Sequence, residues 1–260
     1  MMHSSTITVM SRARTMLSVS VIALWPHAAH AVDEIQVYNA EVAKPGQFTL
    51  QQHLNYAING RKEADFPGGL VPHRALNGTP ELAYGVKDWY EVGLYAPFAV
   101  SSDRQFLSNG FKIRHLFAVP NAGQRNFFYG INFEFSYLMP KFSETRYGIE
   151  IRPIIGWRND AYEFIVNPIV DIGIGKAGEI TFAPAARFAR KVGEDWMIGL
   201  EYYSDFGAFG KFSAPDNQLH TLFAVTDFKL GKLDINFGIG YGVTNGSDRV
   251  MAKIIVGKDL

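Results

Sequence analysis

Residues 126–138 read NFFYGINFEFSYL, and this stretch constrains the fold more than any other. Phe127, Tyr129, Ile131, Phe133, Phe135 and Tyr137 alternate with Asn126, Phe128, Gly130, Asn132, Glu134 and Ser136. A strand sends successive side chains to opposite faces, so one face here is aromatic and apolar and the other mostly polar or small. Soluble strands average about 5–6 residues, whereas a tilted strand needs about 9–11 to cross a bilayer. The length and the two-faced pattern, repeated along the chain, point to an all-β fold. The expected form is a transmembrane antiparallel up-and-down barrel.

The chain begins with a secretory pattern. Arg12 and Arg14 precede the apolar residues 16–25, and Ala29-His30-Ala31 supplies a small-x-small cleavage site. Residues 1–31 are therefore expected to be a signal peptide cut after Ala31. Met1, Met2 and Met10 each serve equally well as its start. Residues 32–46 form a polar leader, assigned as a periplasmic segment and equally able to tuck into the lumen. Residues 47–260 form the barrel. Cysteine is absent from the sequence, which removes disulfides and thiolate metal sites from consideration. Basic and acidic residues number 25 each, and the signal carries two arginines and no acid, leaving the mature chain at −2. With no basic patch, nucleic acid is not an expected partner.

About twelve alternating segments follow the leader, and an even number brings both termini to the periplasmic side. Short links at 87–88, 121–125, 159–160, 193–195 and 231–232 alternate with longer ones, among them 60–73, 99–109 and 206–217. Short periplasmic turns and long outer loops are the asymmetry of an outer-membrane barrel. A soluble sandwich alternates too, but without this turn order and strand length.

Three motifs carry a family resemblance: TPELAYGVKDWYEVGLYAPF (79–98), GLEYYSDFGAFGKF (199–212) and LDINFGIGYGVT (233–244). The chain resembles a family of outer-membrane proteins named for the meta-pathway of phenol degradation. The hallmark is a strand, a tight YG-x-x-D turn and a second strand with EVGL. The resemblance implies an outer-membrane barrel and, less directly, transport of small aromatic compounds. One departure is the C-terminus, where Leu260 replaces the aromatic residue that the barrel-assembly machinery usually reads.

With the aromatic face toward lipid, parity places Glu81, Glu91, Arg114, Glu134, Arg146, Glu150, Arg152, Glu163, Asp171, Arg187, Glu201, Asp227, Asp234 and Lys253 in the lumen. They are candidates for a selectivity filter and, equally, for a structural ion-pair network. Pro80, Pro153, Pro168 and Pro184 fall inside strands on the outward face. A closed barrel has no edge on which to place a residue without an N–H, so each proline breaks a ladder bond or marks a bulge. Pro153, Pro168 and Pro184 occupy consecutive strands at similar depth. They are candidates for a weakened wall through which an apolar molecule leaves sideways, or for bulges that merely bend it.

No metal-ligand spacing or phosphate-binding loop occurs, and no cofactor is expected. The mature chain has four histidines, and His53 is expected to face the lumen between Gln51 and Asn55. The best triad the sequence offers is Ser204, His220 and Asp205, too weak a case to expect an enzyme. The expected function is passive passage of small hydrophobic or aromatic solutes through the bacterial outer membrane, with lipid, solute and assembly machinery as partners. A closed structural or surface-interaction barrel is the alternative, and an acyl hydrolase a distant third. Oligomeric state is not legible.

Overall fold

The computed structural model describes residues 34–260; the signal segment and the cleavage point lie outside the described residues. Twelve antiparallel staves run up and down in chain order. They are β1 (Phe48–Asn59), β2 (Leu76–Lys87), β3 (Tyr90–Tyr95 with Phe98–Val100) and β4 (Phe106–Ser108 with Phe111–Ala118). Next come β5 (Phe127–Tyr137), β6 (Tyr147–Arg158), β7 (Tyr162–Asn167 with Val170–Ile174) and β8 (Ile180–Phe182 with Ala185–Lys191). β9 (Trp196–Asp205), β10 (Leu219–Leu230), β11 (Leu233–Gly242) and β12 (Val250–Asp259) complete the wall. β1 pairs with β12 from Thr49 opposite Asp259 to Asn59 opposite Val250, so the sheet is closed.

Tight turns crowd the end that carries both ends of the barrel chain. At Gly231-Lys232, a two-residue connection, Gly231 takes φ +64°, where a side chain would be strained. The opposite end carries the long connections, including 60–75 and 206–218. We call the two ends the turn end and the loop end.

The outward face is apolar at mid-wall, with Leu82, Leu94, Phe135, Ile155, Phe164, Phe188, Leu200 and Ile239 all exposed. A band of this kind around a closed barrel is at home in hydrocarbon, where inter-strand bonding satisfies most of the backbone. Aromatic groups flank it, Trp89–Tyr90–Phe117 and Trp196–Phe228 near the turn end and Phe111–Tyr137–Tyr147 near the loop end. In β5, Phe127 is 59% exposed while Phe128 is 0% exposed, as parity requires. Phe128 is a large ring on the polar side of that alternation. It fits because it lies flat on Gly156, its cross-strand partner, where an added Cβ would stand 2.1 Å from the ring. Phe223 covers Gly240 in the same way on β10 and β11.

The leader does not hang beside the barrel as a periplasmic arm. It joins the wall at the turn end, where Gly46 N–H donates to Gly85 O at 2.8 Å. From there residues 43 to 34 run up inside the lumen, burying Ile35, Val37, Tyr38, Ala40 and Ala43. Those apolar groups gain burial on lumen-facing side chains of the wall, which explains why the segment is inside.

Candidate functional site

The leader is a plug held by side chains of the wall. Ala43 N–H donates to Glu91 at 2.6 Å near the turn end. Higher up, Asn167 of β7 grips Tyr38 by both amide groups: Tyr38 N–H donates to Oδ1 at 2.7 Å and Nδ2 donates to Tyr38 O at 3.1 Å. Arg152 of β6 donates to Gln36 O at 3.1 Å, and Lys253 of β12 to Ile35 O at 2.9 Å. The Tyr38 hydroxyl meets that of Tyr95 at 2.8 Å, and its ring lies 4.2 Å under the Arg152 guanidinium. An extended segment cannot satisfy its own backbone, so these contacts do what a neighbouring strand does elsewhere.

Most of the lumen candidates form ion pairs around this plug. Arg114 bridges Glu81, at 2.5 Å, and Glu91. His53 is buried with Nε2 3.4 Å from the Glu81 carboxylate. Arg187 joins Glu163 at 3.2 Å, Glu201 at 2.6 Å and Asp227, while Lys253 reaches Glu201 at 2.5 Å. Glu134, Glu150 and Asp171 stand in one cross-strand row. Lys112 faces Glu134 at 3.0 Å and Arg152 faces Glu150 at 2.7 Å, so the row's repulsion is relieved. Two candidates lie apart from the lumen network. Arg146 precedes β6 and turns to the Tyr137 hydroxyl, 2.8 Å away at the loop end. Asp234 pairs with Lys229 at 2.7 Å on the exposed turn-end rim. Among the loops, Arg61 links Asp65 and Asp248. Burial works against its charge, but the two carboxylates outweigh that and hold the guanidinium above its ordinary value.

The plug divides the lumen. On its loop side a cavity of about 250 Å³ is lined by Ile35, Gln36, Arg152, Ile169, Tyr203 and Phe223 among others. On its turn side a vestibule of about 530 Å³ is lined by Val37, Asn39, Arg187 and Asp227 among others. Gln36 borders both.

Beside the plug, the wall has a seam. Registers above and below place Pro153 opposite Pro168, and Pro168 opposite Pro184. Asn159 N–H donates to Tyr162 O across β6 and β7, so odd residues of β6 and even residues of β7 face each other with their hydrogen-bonding groups. Pro153 and Pro168 occupy such a pair, and both lack the N–H. The paired residues resume at Ile151–Val170 and Ile155–Val166, leaving roughly 13 Å of wall without an inter-strand backbone bond. The third proline loses one bond of two, because Ser204 N–H still donates to Pro184 O at 3.1 Å. Pro80 pairs with Gln52 within an otherwise continuous ladder.

No protein-family model matches this sequence, and no curated protein matches it. Solved structures do. The COG4313 outer membrane channel from Pseudomonas putida F1 superposes with a TM-score of 0.64 over 87% of this chain and 100% of its own, at 10% identity. The NanC porin superposes with a TM-score of 0.50 over 81% of this chain and 97% of its own, at 9% identity. The chain shares the closed antiparallel barrel fold of these outer-membrane proteins. At such identities the likeness concerns the fold alone.

The proposed triad does not assemble. Ser204 and His220 are cross-strand partners, yet Ser204 Oγ donates to Pro184 O at 2.8 Å. The His220 nitrogens are taken by Tyr202 at 2.6 Å and Gln218 at 2.9 Å, and Asp205 accepts from Gly207 N–H. Among the described residues no group of three or more His, Cys, Asp or Glu could hold a metal ion. Sequence reasoning missed Tyr38, Asn167 and Tyr95. A trace of the plug was present in EIQVY (34–38), where apolar residues interrupt an otherwise polar leader.

Proposed function

We propose that this protein is a bacterial outer-membrane channel that takes up small hydrophobic solutes, aromatic ones included, by passive diffusion. In this reading the signal peptide directs export, the assembly machinery inserts the barrel, the turn end faces the periplasm and the loop end faces outside. The solute reaches the loop-side cavity and leaves sideways through the Pro153–Pro168–Pro184 row into the bilayer. The observation that carries this reading is the pairing of a plugged axis with an unbonded wall beside it. A hydrophilic solute gains nothing from a lateral path, whereas an apolar one avoids water by taking it. The lumen charges then hold the plug and narrow the axial route, instead of forming a filter along it.

The test is uptake of a radiolabelled small aromatic, such as toluene, by cells that depend on this protein. Replacing Pro153, Pro168 and Pro184 together with Val restores the missing donors and is expected to slow uptake severalfold at equal surface abundance. Unchanged uptake would remove the lateral exit. A second reading, a closed barrel whose loops bind a partner, draws support from the same plug. It expects no protein-dependent uptake in either form.

A further inference from the structure

The plug and the seam coincide residue by residue. Arg152 and Asn167 bond the plug backbone at Gln36 and Tyr38, and each directly precedes one of the facing prolines. The buried cluster around Val37 and Tyr38 contains Ile154, Ile169 and Ala185, the residues that directly follow Pro153, Pro168 and Pro184. The plug is thus fixed to β6 and to β7 where those strands are not hydrogen-bonded to each other. Its three residues 36–38 bridge the gap from inside.

We propose that Gln36–Tyr38 is a strap that holds the seam shut, and that an apolar solute in the loop-side cavity releases it, so that unstrapping and wall opening are one event. The inference rests on the lateral-exit reading and adds its trigger. The cavity supplies the site: Ile35 and Gln36 of the plug and Arg152 and Ile169 of the seam line the same space. Its volume, about 250 Å³, leaves room for one ring, and its wall sets apolar Ile35, Ile169, Ile172 and Phe223 beside the charged groups of Glu150 and Asp171; an apolar cavity of roughly 150 Å³ is enough to bind benzene. A one-ring solute seated there touches strap and seam together. It competes with Val37 and Tyr38 for Ile169 and its neighbours. Removal of the strap withdraws the contacts that tie β6 to β7 at Pro153 and Pro168.

The absence of cysteine makes the test clean. In the mature protein, a Val37→Cys thiol is buried while the strap is seated, and its reaction rate with a soluble maleimide reports release. Toluene is the probe, with glycerol as the polar control. Toluene is expected to raise the rate at least tenfold, and glycerol to leave it unchanged. The seam is then locked by an Ile151→Cys/Val170→Cys disulfide, formed before labelling between directly paired residues, whose Cα atoms stand about 5.5 Å apart. With the lock closed, the toluene effect is expected to disappear, and reduction should restore it. Equal acceleration in locked and unlocked forms would overturn the coupling while leaving lateral exit to the uptake assay. No acceleration in either would overturn the cavity as trigger. Tyr38→Cys, at a position equally buried in the seated strap, repeats the measurement should Val37→Cys fold poorly. Asn167→Ala, which removes both amide contacts, is expected to speed labelling without solute by about tenfold or more.

Discussion

The two sides of this barrel use the same strand length and the same alternation, yet they hold together differently. From β10 to β11 ten consecutive residue pairs run from Thr221–Gly242 to Leu230–Leu233 without a break. Behind that side Glu201 ties Arg187 of β8 and Lys253 of β12 together. Across the lumen, β6 and β7 lose a bonded pair at Pro153–Pro168, and the plug fills in from inside. The comparison teaches that wall strength in a barrel is set by donors, one N–H at a time. Where those donors are missing, side chains from both strands are tied together through a segment from elsewhere in the chain.

The largest effect is expected in the ion-pair cluster that links the two sides. Arg187 is buried with Glu163, Glu201 and Asp227 around it. Arg187→Met leaves those carboxylates short of a cation, which typically costs about 3–5 kcal/mol. Chemical unfolding of the refolded barrel, followed by the loss of its heat-modifiable gel mobility, measures this directly. A loss below about 1 kcal/mol would mean that water in the vestibule screens the cluster.

A smaller effect should follow from moving the seam. Thr226 and Phe237 form an outward pair on β10 and β11, of the type whose backbone groups bond each other. Replacing both with Pro copies the Pro153–Pro168 arrangement into a wall where Ile35 of the plug packs on Phe223 and Val225 of β10 while its carbonyl is held by Lys253 of β12. Each carbonyl left without its donor costs at least about 1 kcal/mol, so the double variant, which orphans two, is expected to lose at least about 2 kcal/mol in the same unfolding assay. Should the transplanted pair cost nothing, missing donors would not explain the difference between the two sides.

Much of this contrast was legible in the sequence, and the remainder was not for definite reasons. Strand positions and faces follow from the period of two, which is local, so all twelve staves could be read from neighbours alone. The prolines could be placed at one depth, but their direct opposition depends on registers that hairpin lengths fix only to within a residue or two. The plug was harder. Its bonds run to side chains such as Asn167, 129 residues from Tyr38, and no local pattern encodes such a partner. Parity also failed where a strand stops being a strand. Arg146 has lumen parity but lies beyond the end of β6, so its long side chain is free to climb to Tyr137.

The smallest effect concerns Ser204, at the end of the proline row. Its N–H and its hydroxyl both donate to Pro184 O, at 3.1 and 2.8 Å, so one carbonyl carries two bonds while the Pro184 nitrogen offers none in return. Ser204→Ala removes the hydroxyl bond and keeps the backbone one. A net loss of about 0.5–1 kcal/mol is expected, because the carbonyl stays satisfied. The same variant separates two roles for this residue. A serine that staples the seam changes stability slightly and leaves lipid composition alone, whereas a nucleophile would abolish any lipid hydrolysis by the protein. His220, stacked on Tyr202 and bonded at both nitrogens, has no free lone pair to serve Ser204. Mass spectrometry of lipids incubated with the wild type and with Ser204→Ala is therefore expected to give matching profiles. A serine-dependent product would turn this end of the seam from a staple into a reaction centre.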